Sequence, residues 1–324
     1  MKYVLGRLGQ AAAVLLAAFT VAFVLLQAMP GDALMIKFEN PELGLSPDQI
    51  AALRVAYGAD TPLPIQYVHS LLGFLGGDFG YSIQSGTPVK QLLAEVVPGT
   101  LLLASLGFVA AVLLAVGITI LANLPGLRKI ADVFRALPSL FVAVPVFWLG
   151  IVLIQVFSFQ LRLIPVVNPG PVEGLILPVL TLAVPISAPL AQILIRSVDD
   201  VLGYPFVAVV RARGADPWWI LSKNVARNAV LPAFTMAGVL FGELIGGAVV
   251  TETVFGRAGV GRLTEQAVSQ QDTPILLAVV LLSATVFVVI NLVVDLLYPI
   301  LDPRLSTRTR GGARLARERK VVAV

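Results

Sequence analysis

The sequence predicts an all-α integral membrane protein with about six transmembrane helices, and three observations carry that prediction. Of its 324 residues 57% are hydrophobic and 13% charged, with a mean hydropathy of +0.90. A soluble domain carries about a quarter charged residues, so a bilayer has to be the solvent for much of this surface. Six stretches, at 11–29, 98–123, 136–161, 174–195, 230–250 and 273–294, supply the run of roughly 20 apolar residues that a helix needs to cross. Lysine and arginine crowd one set of connecting segments, which sets the orientation.

The first span follows Lys2 and Arg7. Its apolar run exceeds a signal-peptide core, and no convincing small-x-small cleavage site precedes a mature domain, so a retained helix is expected. With the N-terminus inside, Lys2, Arg7, Arg128, Lys129, Arg135, Arg196, Arg211, Arg213, Lys223, Arg227 and the tail 304–320 fall on the cytoplasmic side. Only Lys37, Arg54, Lys90, Arg162, Arg257 and Arg262 then lie outside. Six spans return the C-terminus to the cytoplasm.

The segment after the first span reads as a small helical cap. Ser46-Pro47-Asp48 is an N-cap followed by proline at the first helical position, with Ile50, Leu53 and Tyr57 at helical spacing. Ile65, Val68, Leu72 and Leu75 fall on one side of a second helix that ends at Gly76-Gly77, and Thr87-Pro88 starts a third, with a break expected near Pro98. Its acids (Asp32, Glu39, Glu42, Asp48, Asp60, Asp78, Glu95) outnumber its bases. They form either a solvated face or a docking surface for a partner or a cationic substrate. The resulting division is 1–29 for the N-terminus and first helix, 30–97 for the cap, 98–303 for helices two to six, and 304–324 for a basic tail.

Within the third part, the cytoplasmic loop 203–231 is longer than a plain connection between two spans requires. Pro205 suits a first helical turn, Gly214 suits the left-handed stop of that helix, and Asp216-Pro217 caps and opens a second helix ending before Pro232. Basic residues alternate with Phe206, Trp218 and Ile220. Physical reasoning leaves two readings: a hairpin lying among lipid headgroups, or a docking element for a soluble motor.

Several classes of chemistry are excluded. There is no cysteine and one histidine, His69, so thiol catalysis, disulfides and cysteine-ligated metals are absent and a protein-built metal site is not expected. No G-x-x-x-x-G-K-[ST] loop is present to cradle phosphates. No cofactor is expected. Glu243 is the one ionisable residue in mid-span, beside the stripe Gly238, Gly242, Gly246. It either lines a path, where it could meet an ammonium, or bonds across a close helix contact. Asp295 is expected to find a basic partner or the interface, and Asp199 and Asp200 to be solvated. The arginine-rich tail suits anionic lipid headgroups rather than nucleic acid.

Along nearly its whole length the chain resembles the membrane subunit of bacterial ABC importers, in the dipeptide/oligopeptide/nickel permease class and of the B type. Arg211-Ala-Arg-Gly214, Ala226-Arg-Asn-Ala229 and Leu231-Pro232 match the coupling motif of that class. Met29-Pro-Gly-Asp32, Pro62-Leu-Pro-Ile-Gln-Tyr67, Gly77-Asp-Phe-Gly-Tyr-Ser82 and Phe147-Trp-Leu-Gly150 follow in order. So do Gly246-Gly-Ala-Val-Val-Thr-Glu-Thr-Val-Phe255, Gly259-Val-Gly-Arg-Leu263, Asn291 to Asp295 and Leu301-Asp-Pro-Arg304. Ala208-Val209-Val210 and Ala258 depart from the pattern.

The resemblance implies a non-catalytic, multi-pass subunit of the bacterial cytoplasmic membrane. It would pair with a homologous second permease subunit, with two ATP-binding subunits below and an extracytoplasmic substrate-binding protein above. Arg211, Arg213, Gly214 and Ala215 would sit in a cleft of the ATPase. The expected cargo is short peptides; nickel chelates or another small solute are the alternative. An ion-coupled secondary transporter would need more ionisable residues within its spans and an inverted repeat, and an intramembrane enzyme would need paired acids or a Ser/His set.

Overall fold

The computed structural model describes residues 2–27, 46–50, 61–124 and 128–301. Most of these are helical, and the described residues form no strand beyond one isolated antiparallel bridge between Tyr81 and Pro88. The helices are α1 (Lys2–Gln27), α2 (Leu63–Gly76), α3 (Val89–Asn123), α4 (Arg128–Ala143), α5 (Val146–Leu153) and α6 (Glu173–Leu202). They continue as α7 (Pro205–Ala212), α8 (Pro217–Trp219), α9 (Ala226–Val254), α10 (Val260–Ser269) and α11 (Thr273–Leu301). A π-helical stretch, Ile154–Gln160, extends α5, and another, Ile220–Val225, joins α8 to α9. The end of the bundle holding α2 and α10 is the cap side; the end holding α7 and α8 is the coupling side.

Among the described residues five helices are long and apolar enough to cross a bilayer: Leu5–Leu26, Val89–Asn123, Glu173–Leu202, Pro217–Leu244 and Thr273–Val294. The expected third span is a bent pair, Ile130–Ala143 and Val146–Gln160, which meet at 104°. Counted as one crossing, the pair makes six. The bend falls at Val144-Pro145, where Pro145 is extended (φ −62°, ψ 135°). Proline biases the residue before it away from the helical region, which fits the end of α4 just before Val144.

Other prolines leave their helices unbroken, Pro138 within α4 and Pro178, Pro185 and Pro189 within α6 among them. The break expected near Pro98 is absent, because α3 runs through it for 35 residues. The second coupling helix does not stop before Pro232 either; α9 carries that proline inside it. The coupling segment is therefore fused to the fifth span.

The central pair is α3 and α6, with α9 against both; α1 packs on α11 and α4 on α3 and α6. Ala115, Ile118, Leu190, Ala191, Leu194 and Leu240 form a core of small and branched residues between these helices. Lipid tails are as apolar as leucine, so close packing rather than water exclusion has to hold such helices together. Gly107 meets Leu182 and Gly150 meets Val254 and Phe255, where an added Cβ would come to 3.1 Å. Gly238 and Gly242 likewise admit Val294 and Phe287 of α11, which an added Cβ would overlap.

On the cap side Ser46 caps the helical turn that follows it: Gln49 N donates to Ser46 Oγ (3.2 Å) and Ser46 N to Gln49 Oε1 (2.8 Å). Leu53 and Tyr57 lie outside the described residues. In α2 the packed side is Tyr67, Leu71 and Phe74, set against Phe19 and Phe23 of α1. Ile65, Val68, Leu72 and Leu75 are exposed.

Candidate coupling site

The connection from α6 to α9 is built on an apolar base. Val198 and Val201 of α6, Val207 of α7, Ile220 and Val225 of the π-helical stretch and Ala229 of α9 are all buried in one cluster. Pro205 begins α7 after an extended Tyr204. Gly214 ends the turn at φ +82°, a conformation costing a residue with a Cβ about 1–2 kcal/mol. Arg213 N donates to Val209 O (3.1 Å), Gly214 N to Arg211 O (3.0 Å) and Ala215 N to Val210 O (3.4 Å), closing the helix end. Asp216 Oδ2 then accepts from Trp218 N (2.9 Å) and Trp219 N (3.2 Å), which caps α8.

Above this base the turn is open. Arg211, Arg213 and Gly214 are exposed and Ala215 is half-buried. An added Cβ on Gly214 would meet nothing within 4 Å. Tyr204, Phe206, Val209, Trp218 and Trp219 expose 39–52% of their surface around it. Among the described residues neither guanidinium has an acceptor. Two cations and a ring of apolar side chains are thus held on a rigid stem that continues into two spans.

A further clamp steadies that stem. Arg135 of α4 holds Asp199 of α6 through two bonds, Nη1 to Oδ2 at 2.6 Å and Nη2 to Oδ1 at 2.9 Å. Its Nη2 also donates to Asn123 Oδ1 of α3 at 2.9 Å. Asp199, expected to be solvated, is instead one half of a bidentate pair. Only the fold could show this, because 64 residues separate the two.

Glu243 is exposed on α9, on a strip with Thr235, Val239, Gly246 and Val250. The close helix contact is made by Gly238 and Gly242 on α11, and Gly246 has nothing within 4 Å of an added Cβ. Among the described residues the Glu243 carboxylate has no hydrogen-bond partner, so it does not bond across that contact within this chain. The side chain of Asp295 and the tail 304–324 lie outside the described residues.

Two buried acids on the cap side escaped the sequence reading of mid-span charges. Glu252, 1% exposed, ends α9. Its Oε1 accepts from Thr100 Oγ1 of α3 (2.6 Å) and its Oε2 from Gly261 N at the start of α10 (2.7 Å). Thr100 Oγ1 in turn accepts from Val260 N (2.8 Å). A helix N-terminus with free N–H groups favours a carboxylate there. Asp272, also 1% exposed, accepts from Ser82 Oγ (2.5 Å) and Gln84 N (3.2 Å), which pins the hairpin before α3 to the start of α11. The available signal was an acid at the end of a span followed by Gly259-Val-Gly261: an added Cβ on Gly259 or Gly261 would overlap the Glu252 carboxylate.

Comparison with known proteins accounts for almost the whole chain. Residues 107–307 match the family described as binding-protein-dependent transport system inner membrane component, and residues 1–104 match the N-terminal part of such membrane components. A probable peptide ABC transporter permease protein, y4tP of Sinorhizobium fredii, is 35% identical, covering 94% of this chain and 98% of that one. The glutathione transport system permease protein GsiC is 35% identical in Salmonella choleraesuis and 34% in Escherichia coli strain K12, each covering 94% of this chain and 99% of that one. Among solved structures, a chain of the inward-facing MetNI methionine ABC transporter superposes with a TM-score of 0.52 at 19% identity, covering 65% of this chain and 97% of that one. The chain therefore belongs to the binding-protein-dependent transport system inner membrane component family, as a non-catalytic, multi-pass ABC importer permease subunit whose ATPase is a separate polypeptide.

Proposed function

We propose that this subunit forms half of the path through which an ATP-driven importer takes up short peptides, and that residues 211–215 are its contact with an ATPase subunit. The observation that carries the reading is the exposed turn on a buried stem. Arg211 and Arg213 lead into a left-handed glycine, Gly214, the stem is fused without a break to α9, and Arg135 ties α6 to α4 beside it. Closure of an ATPase dimer on ATP would move this element as a body and bias the spans between inward- and outward-facing states.

The partners in this reading are a second, homologous permease subunit, two ATP-binding subunits and an extracytoplasmic binding protein, in a bacterial cytoplasmic membrane. Placement of lysine and arginine puts both termini and the coupling side in the cytoplasm. The cargo is drawn from the curated relatives: one is named for peptides and others for glutathione, itself a short peptide. Glu243 belongs to the path. A carboxylate at bilayer depth costs about 2.5–3.5 kcal/mol on insertion scales, so it faces a wet cavity or the second subunit rather than lipid.

Reconstitution with the partner subunits tests the reading. Uptake of labelled di- and tripeptides is expected to require both ATP and the binding protein, and uptake driven by an ion gradient alone would refute it. Glu243→Gln is expected to alter the transport rate or its pH dependence at unchanged assembly; a variant identical to wild type in both would remove Glu243 from the path.

A further inference from the structure

α2 carries no formal charge in its 14 residues. At 3.6 residues per turn its side chains sort into three stripes. Tyr67, Leu71 and Phe74 pack on α1, and Ile65, Val68, Leu72 and Leu75 are exposed by 49–78%. Gln66, His69, Ser70 and Gly73 form a short polar edge between them. A cap helix standing in water would leave a large uncovered apolar face there.

The depth of α2 can be read from its neighbours. Thr20 Oγ1 lies 2.8 Å from Tyr67 Oη, and Phe19 and Phe23 lie edge-on to the Tyr67 ring at 5.5 and 5.4 Å. Thr20 sits six residues inside the apolar stretch Leu5–Leu26, which is about 9 Å below its cap-side end. The same cluster contains Leu277, four residues into α11, about 6 Å below that helix's cap-side end. Two helices thus place the α1 contact of α2 below the level at which the spans emerge. The neighbouring helix α1 likewise leaves the apolar side chains of Val21, Val24 and Leu25 exposed. An amphipathic interfacial helix buries its apolar side by about 5–10 Å, which agrees with both depths.

We propose that α2 is not part of a water-facing cap but lies inside the bilayer, in the leaflet at the cap side. Ile65, Val68, Leu72 and Leu75 contact lipid tails, and the edge bearing Gln66, His69 and Ser70 faces the headgroups. The Tyr67 hydroxyl meets Thr20, itself bonded to Leu16 O at 2.7 Å, so no polar side chain on the packed side is left bare in hydrocarbon. Its occupant is lipid, because a receptor for a soluble binding protein at this depth would have to reach below the membrane surface.

The chain has no cysteine, so a nitroxide on Leu72→Cys is its only label. The full-length chain, labelled and then assembled with its partner subunits, is placed in phosphatidylcholine–phosphatidylglycerol vesicles. Collision rates are measured with oxygen and with a water-soluble nickel chelate. Leu72→Cys and Leu75→Cys are expected to behave like the lipid-facing control Val24→Cys, with high oxygen access and loss of nickel access relative to Ser85→Cys in the cap-side turn. Nickel access equal to that of Ser85→Cys would place α2 in water and overturn the proposal. Exclusion of both reagents would show a protein partner on that face and overturn it as well.

Discussion

The two ends of this subunit solve the same problem in opposite ways. At the cap side, polar groups are sealed inside the chain: Glu252 joins α3, α9 and α10 through Thr100 and Gly261, and Asp272 joins α11 to the hairpin at Ser82. At the coupling side the sealed layer is apolar, and Arg211, Arg213 and the aromatic ring around them are left outside it. The glycines show the same contrast. Gly259 and Gly261 have ordinary or extended backbones but no room for a Cβ, while Gly214 has open room but a left-handed backbone. At one end the buried carboxylates find their donors within the chain. At the other, charged and aromatic side chains stand exposed on a buried base.

The contrast sorts substitutions by what they should damage. Gly261→Ala drives a methyl into Val249 Cα and the Glu252 carboxylate, neither of which can retreat, so a loss at the upper end of the range for overpacking, about 3 kcal/mol, is expected. Thermal unfolding of the purified complex in detergent would show it, and an unchanged midpoint would break the picture of a sealed cap side. Glu252→Ala strips the acceptor from Thr100 and Gly261 N, each group costing about 1–3 kcal/mol when buried unpaired, whereas Glu252→Gln keeps part of the network and should lose less. Asp272→Ala frees the hairpin at Ser82 and should cost about 1–2 kcal/mol, with faster proteolysis near residues 80–88.

Effects on stability shrink toward the coupling side. Gly214→Leu is expected to cost about 1–2 kcal/mol through its backbone alone, yet to abolish uptake while the assembled complex still hydrolyses ATP. Preserved uptake would mean that the turn is not the coupling contact. Asp199→Ala should be the mildest, about 0.2–1 kcal/mol, because the pair with Arg135 is partly exposed, and raising the salt concentration should reproduce much of its effect in the wild type.

Much of the fold was legible because membrane spans announce themselves by length and apolar run, and five of the six stretches appear as single long helices. The 104° bend was hidden because hydropathy does not distinguish one crossing from two half-helices; Pro145 was the available sign, yet Pro98 and Pro232 pass through helices without a break. In α2 the apolar residues occur nearly all round, so periodicity could not tell the packed stripe from the exposed one. The coupling turn was readable because Gly214, Asp216 and Pro217 act locally through the backbone. Glu252, Asp272 and the Arg135–Asp199 clamp were not, since their partners lie 152, 190 and 64 residues away.

The central claim, that residues 211–215 meet an ATPase and not lipid headgroups, is tested most directly by photocrosslinking from that turn. A benzophenone side chain replaces Arg213 in the assembled transporter in its membrane, with Glu265, exposed on α10 at the opposite end, as the control. Irradiation is expected to join position 213 to an ATP-binding subunit and position 265 to none. Adducts of position 213 with phospholipid alone would contradict the account and return the loop to a headgroup hairpin.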